Sequence, residues 1–376
     1  MSTRSYKEIA LIACAGGLVG AAITKYLCSP PKQAGGDTSV TLLTKAASKN
    51  YYIGVDIGGT TISIMVLEKC GMECSHLMRN IDDPSESGVV RLVTSMVKDA
   101  LSASAPSISL SDVAAIGVGS PGVNDLSNGI IRKASNFPDW NDFAITSALS
   151  KELDDVPVYL ENDANAALLA EVWIGAGKGC SDVVMMTLGT GVGGAVMSGG
   201  RMIHGATGMA GEIGHAIVNR NGRLNKGTGV RGIFEAYASA TAVVQHALEL
   251  QDSHRAFTED IRGKITCKKV FDLAKRRNWK IGDYPGAMTV LRETIDYIGI
   301  GCINICRYYD PKVILLSGGM TLAGPTFLKK VKKAFLKHHW SIFEPTCEIK
   351  FATTGNKAGA IGAAYSALLK TTQAKE

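Results

Sequence analysis

Residues 51–67 read YYIGVDIGGTTISIMVL, and this stretch decides the fold. A short run rich in β-branched and aromatic residues ends in Gly58-Gly59-Thr60-Thr61, and a second apolar run begins at Ile62. The order of strand, glycine turn and strand predicts a β-hairpin. The glycine turns of Rossmann and P-loop proteins open a helix instead, so the stretch argues against both of those folds.

The same pattern returns later in the chain. The apolar run 183–188 is followed by the turn Gly189-Thr190-Gly191 and by a second apolar run, 193–197. Glycines clustered between apolar runs are typical of tight turns and of backbone that closely approaches a ligand. Two similar halves, each with a Gly/Thr hairpin, predict a two-lobed α/β protein with a ligand-binding cleft between the lobes.

The remaining patterns predict how the chain is divided. Residues 1–50 form an N-terminal anchor or targeting segment and a linker. Residues 51–163 form a small α/β lobe, which a C-terminal helix at 356–372 completes, and residues 164–355 form a large α/β lobe. In the small lobe a strand at 156–160 leads to Glu161-Asn162-Asp163 and then to an alanine-rich helix at 164–173.

The N-terminal segment is apolar. Arg4 and Lys7 precede an apolar run from 9 to 23, and a linker rich in Pro, Gly, Lys and Ser extends to residue 50. The run is shorter than the roughly 20 residues of a comfortable transmembrane helix. A membrane anchor, a cleaved signal, a targeting presequence and a buried helix therefore compete. We favour membrane attachment through residues 9–27, with the folded part facing the cytosol.

The composition excludes several classes of protein. Hydrophobic residues make up 46% and charged residues 20% of the 376 positions, which excludes wholesale disorder. The nine cysteines are odd in number and scattered, which argues against a disulfide framework and favours a reducing compartment. The net charge of +6 resides largely in lysine clusters at 329–337 and 268–277. We interpret both clusters as solvated helix faces and expect no nucleic-acid partner.

The two turns are suited to holding phosphates. Phosphoryl transfer needs backbone amides or hydroxyls around the phosphates, a carboxylate near the metal, and a base for the attacking hydroxyl. Glycine turns point N–H groups at phosphate oxygens, and Thr60 and Thr190 add hydroxyl donors. Asp56, just before the first turn, is placed to reach Mg²⁺ through water.

Four further polar residues are candidates for the chemistry. Asp163 is a candidate base, although an N-cap of the following helix is an equally good role for it. Glu212 and His215 are three residues apart, which places both on one face of a helical turn and allows them to hold vicinal hydroxyls of a sugar. Glu235 is a further candidate, with a surface helix charge as the alternative.

In these motifs the sequence resembles the ROK family of sugar kinases and repressors, over about residues 51–372. Single motifs are weak, but the ordered set is specific. The set comprises Asp56-Ile57-Gly58-Gly59-Thr60, Gly119-Ser120-Pro121-Gly122 with Asn136-Phe137-Pro138-Asp139-Trp140, Glu161-Asn162-Asp163-Ala164-Asn165-Ala166-Ala167, Leu188-Gly189-Thr190-Gly191-Val192-Gly193-Gly194, the Glu-x-x-His of 211–215, and Gly318-Gly319.

The resemblance implies a two-lobed actin-like ATPase fold, related to ribonuclease H, and an ATP- and Mg²⁺-dependent hexokinase of glucokinase type. It implies that Asp163 is the general base and that Asp56 serves the Mg²⁺. We also expect a homodimer. The implied sugar ligands are Asn136, Asn162, Asp163, Glu212, His215 and Glu235, and the implied nucleotide or phosphate ligands are Asp56, Gly58, Gly59, Thr60, Thr61, Gly189, Thr190, Gly191, Gly318 and Gly319.

One segment departs from the family pattern. Many members follow the Glu-x-x-His with cysteines that bind a structural zinc ion together with the histidine. Here Lys226, Thr228 and Ile233 occupy those cysteine positions, while Glu235 stays in step. Lysine and isoleucine do not replace thiolates as zinc ligands. We therefore expect no zinc and a segment held by packing.

Several functions remain open at this point. Glucose is the favoured substrate and would become glucose 6-phosphate. Kinases of N-acetylmannosamine, mannose or fructose, and a glucokinase that uses polyphosphate, are alternatives within the family. A repressor is disfavoured, because residues 1–50 show an apolar run and a linker rather than a helix-turn-helix. A catalytically silent, membrane-tethered sugar sensor is a further alternative.

Overall fold

The computed structural model describes residues 50–134, 136–253, 265–276, 279, 285–342 and 344–373. The predicted membrane attachment through residues 9–27 lies outside these ranges. Within them, no helix combines the length and the apolar character that crossing a membrane requires.

The first half of the described chain forms a five-stranded sheet in the order β3-β2-β1-β4-β7. Strand β2 pairs antiparallel with β1 and with β3, whereas β4 pairs parallel with β1 and with β7. A separate two-stranded sheet joins β5 to β6. The strands are β1 (Tyr51–Ile57), β2 (Thr61–Glu68), β3 (Glu73–Asn80), β4 (Val113–Ser120), β5 (Val123–Asp125), β6 (Ile130–Lys133) and β7 (Val158–Asn162).

The second half repeats this topology in a sheet ordered β10-β9-β8-β11-β12. Strand β9 pairs antiparallel with β8 and β10, and β11 pairs parallel with β8 and β12. The strands are β8 (Val183–Leu188), β9 (Val192–Ser198), β10 (Arg201–Met202), β11 (Val313–Ser317) and β12 (Glu348–Phe351). The prediction of two similar halves, each opened by a Gly/Thr hairpin, is therefore confirmed.

Helices cover both sheets. Buried side chains of α1 pack with those of β1, and most of the apolar core of the second half comes from α5, α6, α7 and α8. The helices are α1 (Glu86–Ala103), α2 (Ile145–Glu152), α3 (Asp163–Trp173), α4 (Glu235–Ala238), α5 (Ala240–Ser253), α6 (Cys267–Arg276), α7 (Pro285–Tyr309), α8 (Pro325–His338) and α9 (Ala358–Gln373).

The C-terminal helix α9 returns to the first sheet, where Ala360 and Ala364 pack with Tyr52 and Met65. Gly54 permits this close approach, because a side chain there would overlap the backbone of Ala360. The division into lobes at residue 163 stays a prediction.

Two element boundaries differ from those predicted. The helix expected at 356–372 begins at Ala358, after a 3₁₀ turn at Gly355–Lys357. The strand expected at 156–160 spans Val158–Asn162, because Glu161 and Asn162 continue the parallel pairing with Gly119 and Ser120 of β4. Asn162 therefore ends a strand, and its side chain is available to begin the next helix.

The lysine clusters lie on helix surfaces, as predicted. Lys329, Lys332, Lys333 and Lys337 are exposed on α8. Lys337 pairs with Asp296 of α7 at 3.0 Å. The expectation of no nucleic-acid partner stays a prediction.

Candidate active site

A cavity of about 280 Å³, here called the corner cavity, lies where the turn from β7 to α3 faces the second half of the chain. Its walls are residues 122–124 and 162–165 of the first half, and residues 193–194, 207–210 and Glu212 of the second half. The volume is near the lower end of the roughly 300–1,000 Å³ of small-molecule sites. Three predicted site residues, Asn162, Asp163 and Glu212, therefore meet in one cavity.

Asn162, not Asp163, caps helix α3. Its side-chain oxygen accepts hydrogen bonds from the backbone N–H groups of Ala164 at 2.9 Å and Asn165 at 3.2 Å. The N-cap interpretation of Asp163 is therefore wrong, since Asp163 is the first residue of the helix. The capping role is met by its neighbour, which leaves Asp163 free to face the cavity that it lines.

The carboxyl group of Asp163 is open to solvent but surrounded by protein atoms. This partial desolvation raises its pKa, and the negative charge of Glu212 raises it further, against hydrogen bonds that include one from the backbone of Ala164. A carboxylate with a raised pKa accepts a proton more readily. Asp163 is thus chemically suited to receive a proton from a group bound in the corner cavity.

Asp56, near the end of β1, lies close to Asp163. Partial burial and the charge of Asp163 raise its pKa to about 6. Its carboxyl group also lies against Gly359 at the start of α9, where any side chain would overlap it. Two neighbouring carboxylates repel each other, and a divalent cation relieves this repulsion, so the donor set fits Mg²⁺.

Asn136 lies beside the first glycine turn rather than on the wall of the corner cavity. A side chain added at Gly59 would come within 2.8 Å of the Asn136 amide nitrogen, so the two residues are in close contact. Phe137 and Trp140, which stack with ring centroids 3.9 Å apart, anchor this segment in the core. Thr60 is exposed in the same turn, where the N–H of Gly58 donates to the carbonyl of Thr61 at 2.9 Å.

Glu212 and His215 lie on one 3₁₀ turn, as their spacing predicts. Glu212 precedes the turn Ile213–His215, and the His215 Nε2 atom is 3.8 Å from the Glu212 carboxylate. Both side chains are about half exposed, at 48% and 54%. They are therefore accessible to a bound molecule.

Glu235 is not a surface charge, so that alternative is wrong. Its two oxygens accept hydrogen bonds from the backbone N–H of Val192 and from the side-chain amide of Asn225, each at 2.9 Å. Gly191 lies so close that a side chain there would overlap the Glu235 carboxylate. Glu235 therefore ties the second glycine turn to the segment that follows Glu212.

Hydrogen bonds of Asn225 organise the segment in which Lys226 and Thr228 occupy cysteine positions of the family pattern. The side-chain oxygen of Asn225 accepts from the backbone N–H of Thr228 at 3.0 Å and from its hydroxyl at 3.2 Å. Lys226 and Thr228 are exposed, whereas Ile233 is buried. In the described part of the chain, no three or more His, Cys, Asp or Glu side chains form a group that could hold a metal. The absence of zinc stays a prediction.

A second cavity of about 460 Å³, here called the turn cavity, borders the second glycine turn. Its lining includes the predicted residues Gly189, Thr190 and Gly319, together with residues of α6. Gly318 has φ +88° and lies against the backbone of Leu188, where a side chain would come within 2.6 Å. Glycine is therefore required there to bring β11 and the turn together.

The sequence interpretation missed three polar residues beside the corner cavity. Asn124 lines the cavity and is only 8% exposed; its amide nitrogen donates to Ser120 at 3.0 Å, and its oxygen has no partner among the described residues. Glu161 and His204 meet next to the β7–α3 turn, with His204 Nε2 3.1 Å from the carboxylate. Glu161 is the first residue of the motif at 161–167, where it was given no role. No local signal marks His204, which reaches Glu161 only in the fold.

Comparisons with known proteins identify the family of the chain. The profile of the ROK family matches residues 52–370. The glucokinase of Halalkalibacterium halodurans is 36% identical over 324 residues, covering 85% of this chain and 95% of that protein.

Two crystal structures are similar over almost their whole lengths. The ROK hexokinase from Thermus thermophilus has 30% identity and a TM-score of 0.73, covering 86% of this chain and 99% of that one. The ROK family glucokinase from Streptomyces griseus in complex with glucose and AMPPNP has 30% identity and a TM-score of 0.65, covering 85% and 99%. The predicted actin-like ATPase fold is confirmed.

Proposed function

Because the chain belongs to the ROK family, we propose that it is an ATP-dependent hexokinase of glucokinase type, which converts glucose to glucose 6-phosphate. The observation that carries the proposal is the pair of interacting carboxylates, Asp56 and Asp163, beside a cavity that Glu212 also lines. Relatives named glucokinase support glucose as the sugar, and the structure with glucose and AMPPNP supports ATP as the donor.

In the proposed reaction Asp163 is the general base. Its carboxylate accepts the proton of the sugar's primary hydroxyl as that oxygen, O6, attacks the γ-phosphoryl group in line. A new O6–P bond forms while the bond between the γ-phosphorus and the bridging oxygen breaks, and ADP leaves with the electron pair. The raised pKa of Asp163 favours this transfer, because the carboxylate is a stronger base than an aspartate of ordinary pKa.

The two glycine turns would hold the phosphates. Mg²⁺, when bound, would neutralise negative charge on them, and Asp56 would hold the ion through water. Gly58, Gly59, Thr60 and Thr61 of the first turn would provide N–H and hydroxyl donors. The matching residues of the second half are Gly189, Thr190 and Gly191, with Gly318 and Gly319 beside the adenosine in the turn cavity.

The sugar would bind in the corner cavity. Asn162 uses its side-chain oxygen as the helix cap, so its amide nitrogen is the group we assign to the sugar. Glu212 and His215 would hold neighbouring hydroxyls. Glu235 accepts one hydrogen bond at each oxygen in the structure, and each oxygen has capacity for a second, from a sugar hydroxyl. Asn136 would approach the sugar from the first turn.

The remaining assignments concern partners. We propose a homodimer without zinc or nucleic acid, attached to a membrane through residues 9–27. The support for a dimer is that Met209 and Tyr308, which line one apolar cavity, are 58% and 73% exposed. A molar mass of one chain in light scattering would exclude the dimer. Recovery of the full chain in the supernatant after cell fractionation would exclude the membrane attachment.

The test of the main proposal is a coupled assay of ADP release from Mg-ATP by the purified chain. Glucose, mannose, fructose, N-acetylglucosamine and N-acetylmannosamine are compared in parallel, with EDTA as a control. We expect glucose to give the highest kcat/KM. Preference for another sugar would move the protein to that kinase class. The absence of turnover with every sugar, with polyphosphate tried as the donor too, would favour the silent sensor.

A further inference from the structure

Glu161 is a buried carboxylate directly before the turn from β7 to α3, here called the corner, which carries Asp163. Its side chain is 2% exposed, and it precedes Asn162 and Asp163 at the end of β7. It accepts hydrogen bonds from the backbone N–H of Asn162 at 3.0 Å, from the side-chain amide of Asn165 at 3.1 Å and from the hydroxyl of Ser366 at 3.3 Å. A buried carboxylate is costly unless donors surround it, so these contacts fix the shape of the corner.

The remaining donor is His204, which comes from the other half of the chain. Its Nε2 atom lies 3.1 and 3.2 Å from the two oxygens of Glu161. The other donors to Glu161 in the described residues come from the start of α3 and from α9, which packs on the first sheet, whereas His204 follows β10 of the second sheet. The contact therefore crosses between the halves immediately behind Asp163.

His204 also begins the loop 204–211 that forms one wall of the corner cavity. Thr207, Gly208, Met209 and Ala210 of this loop line the cavity. The carbonyl of His204 accepts a hydrogen bond from the N–H of Ala210 at 3.1 Å, which closes the loop on itself. His204 thus makes two contacts. Its carbonyl joins the start of the loop to Ala210 near the end, and its side chain joins the loop to Glu161.

The charges around Glu161 keep it ionised. Burial raises its pKa, but the hydrogen bond and charge of His204, the charge of Lys370 on α9 and the Asn165 amide outweigh that effect, so the pKa is lowered overall. Lys370 itself donates to the carbonyl of Leu160 at 2.9 Å. An ionised acceptor makes the bond from His204 a charge-assisted one, which is stronger than a neutral hydrogen bond.

We propose that His204 is a positioning residue for the phosphoryl transfer, which holds the loop 204–211 against the corner that carries Asp163 by donating to Glu161. This inference rests on the proposed function. It assigns His204 no contact with the sugar, so its effect is indirect and passes through Glu161 and the loop. The turn cavity is lined by none of the loop residues, so ATP binding is independent of this contact.

The test compares His204→Ala with His204→Gln in the full chain. A glutamine side chain places an N–H donor near the position of the histidine Nε2 atom, whereas alanine removes the donor. We expect His204→Ala to lower kcat/KM for glucose by about 10- to 100-fold, the effect of losing a hydrogen bond to a charged group. KM for ATP should stay within twofold of wild type, and His204→Gln should recover most of the loss.

His338→Ala is the matched control. His338 also places its Nε2 atom beside a carboxylate, that of Asp296, at 3.0 Å, but it lies on α8, which contributes no residue to either cavity. It should change neither KM for glucose nor kcat by more than twofold. If His204→Ala behaves like this control, or if the glutamine and alanine variants lose equally, the proposal is overturned.

Hydrogen exchange provides a second readout that does not need turnover. Amides of 204–211 and of 162–165 should exchange faster in His204→Ala than in wild type or in His204→Gln, while amides of α8 should not change. Unchanged exchange in the loop overturns the positioning role. A wild-type chain that phosphorylates no sugar overturns the proposed function instead, and the exchange experiment then still decides whether His204 holds the loop.

Discussion

The two halves of the molecule share one strand order but differ in what their strand ends carry. In the first half, Asp56 lies two residues before Gly58, the first glycine of the turn. The matching residue of the second half, two before Gly189, is Thr187. The hydroxyl of Thr187 accepts a hydrogen bond from the N–H of Gly193 at 3.1 Å. Strand β7, at the edge of the first sheet, ends at Asn162 and is followed by Asp163. Strand β12, at the matching edge of the second sheet, is followed by Ala352 and two threonines.

This difference shows how a repeated fold acquires an asymmetric site. The first half provides both acids, and burial together with the charge of Asp163 raises the pKa of Asp56 to about 6. The second half brings turn N–H groups, hydroxyls and the turn cavity, without an acid at the matching strand positions. A nucleotide needs donors around its phosphates, and a sugar hydroxyl needs a base. Each half is therefore suited to one substrate.

The largest effect is expected at Asp163, the acid with no counterpart in the second half. Asp163→Asn removes the base but keeps the size of the side chain and the start of α3, because Asn162 supplies the cap. We expect kcat to fall by about 10²–10⁴-fold, with a much smaller change in KM for glucose. Steady-state kinetics of the purified variant measure both quantities.

Asp99→Asn is the control for that experiment. Asp99 lies on α1 and pairs with Arg79 at 2.7 Å, with both side chains well exposed. Its removal should leave kcat unchanged. If Asp163→Asn kept more than about a third of wild-type turnover, the division of roles between the halves would be wrong.

The second prediction concerns Asp56 and pH. Because its pKa is raised to about 6, kcat/KM should fall as the pH is lowered through 6, by roughly tenfold per pH unit where one ionisation is limiting. The same raised pKa makes the stability of the fold change with pH in the opposite direction, so that stability is greater at low pH. A carboxyl whose folded pKa lies above its unfolded value binds a proton more tightly when folded, so its charge destabilises the fold above about pH 6.

Asp56→Asn therefore should lose activity and gain stability. We expect its Tm to exceed that of wild type above pH 6, and the difference to vanish below the ordinary aspartate value of 3.8. Thermal unfolding between pH 4 and 8 measures the trend. A Tm difference that is constant across this range would refute the raised pKa of Asp56.

The third prediction compares two buried glutamates, each of which accepts hydrogen bonds from segments that are distant in the sequence. Glu161 holds the corner of the first half, and Glu171 of α3 holds the segment after β12. Glu171 is fully buried and accepts from the backbone N–H groups of Thr353 at 2.7 Å and Thr354 at 2.6 Å, from both threonine hydroxyls, and from the N–H of Ala176 at 2.7 Å. Glu171 therefore has five hydrogen-bond donors, against four at Glu161, but it has no proposed catalytic residue beside it.

Glu171→Gln should thus act on stability alone. The glutamine side chain would place an N–H group opposite hydrogen-bond donors that now face a carboxylate oxygen. We expect this mismatch to lower the free energy of unfolding by about 2–3 kcal/mol. The kcat of the folded variant should stay within threefold of wild type, whereas Glu161→Gln should lower both quantities. Urea unfolding and kinetics on the same samples separate the two. Equal losses of kcat in both variants would contradict the comparison.

Much of the fold could be predicted from the sequence, because its signals are local. The hairpins at 51–67 and 183–197 are strand, glycine turn and strand in direct succession, and the turn residues by themselves imply the connection. The pairing of β4 between β1 and β7 is not local, and no pattern in the sequence predicts it.

The site was less predictable, because its roles depend on contacts between distant segments. Asn162 and Asp163 are equally good caps by residue type, and only the strand extending to Asn162 decides between them. From the sequence alone, Glu235 could equally be a surface charge. The structure shows that it accepts a hydrogen bond from the backbone N–H of Val192, 43 residues away. His204 and Glu161 are likewise 43 residues apart, and no periodicity links such a pair.

The smallest effect is expected at Thr187, the counterpart of Asp56. Thr187→Val removes the hydroxyl that accepts from Gly193 and keeps the branched shape of a strand residue, so one backbone N–H loses its partner. The free energy of unfolding should fall by about 1 kcal/mol, with kcat within twofold of wild type. Asp56→Val should instead lower kcat markedly, though by less than Asp163→Asn, since the same strand position in the first half carries the acid proposed to serve Mg²⁺. If both valine variants were active, the asymmetry between the halves would lie outside these strands; if both were inactive, Thr187 would itself belong to the phosphate site.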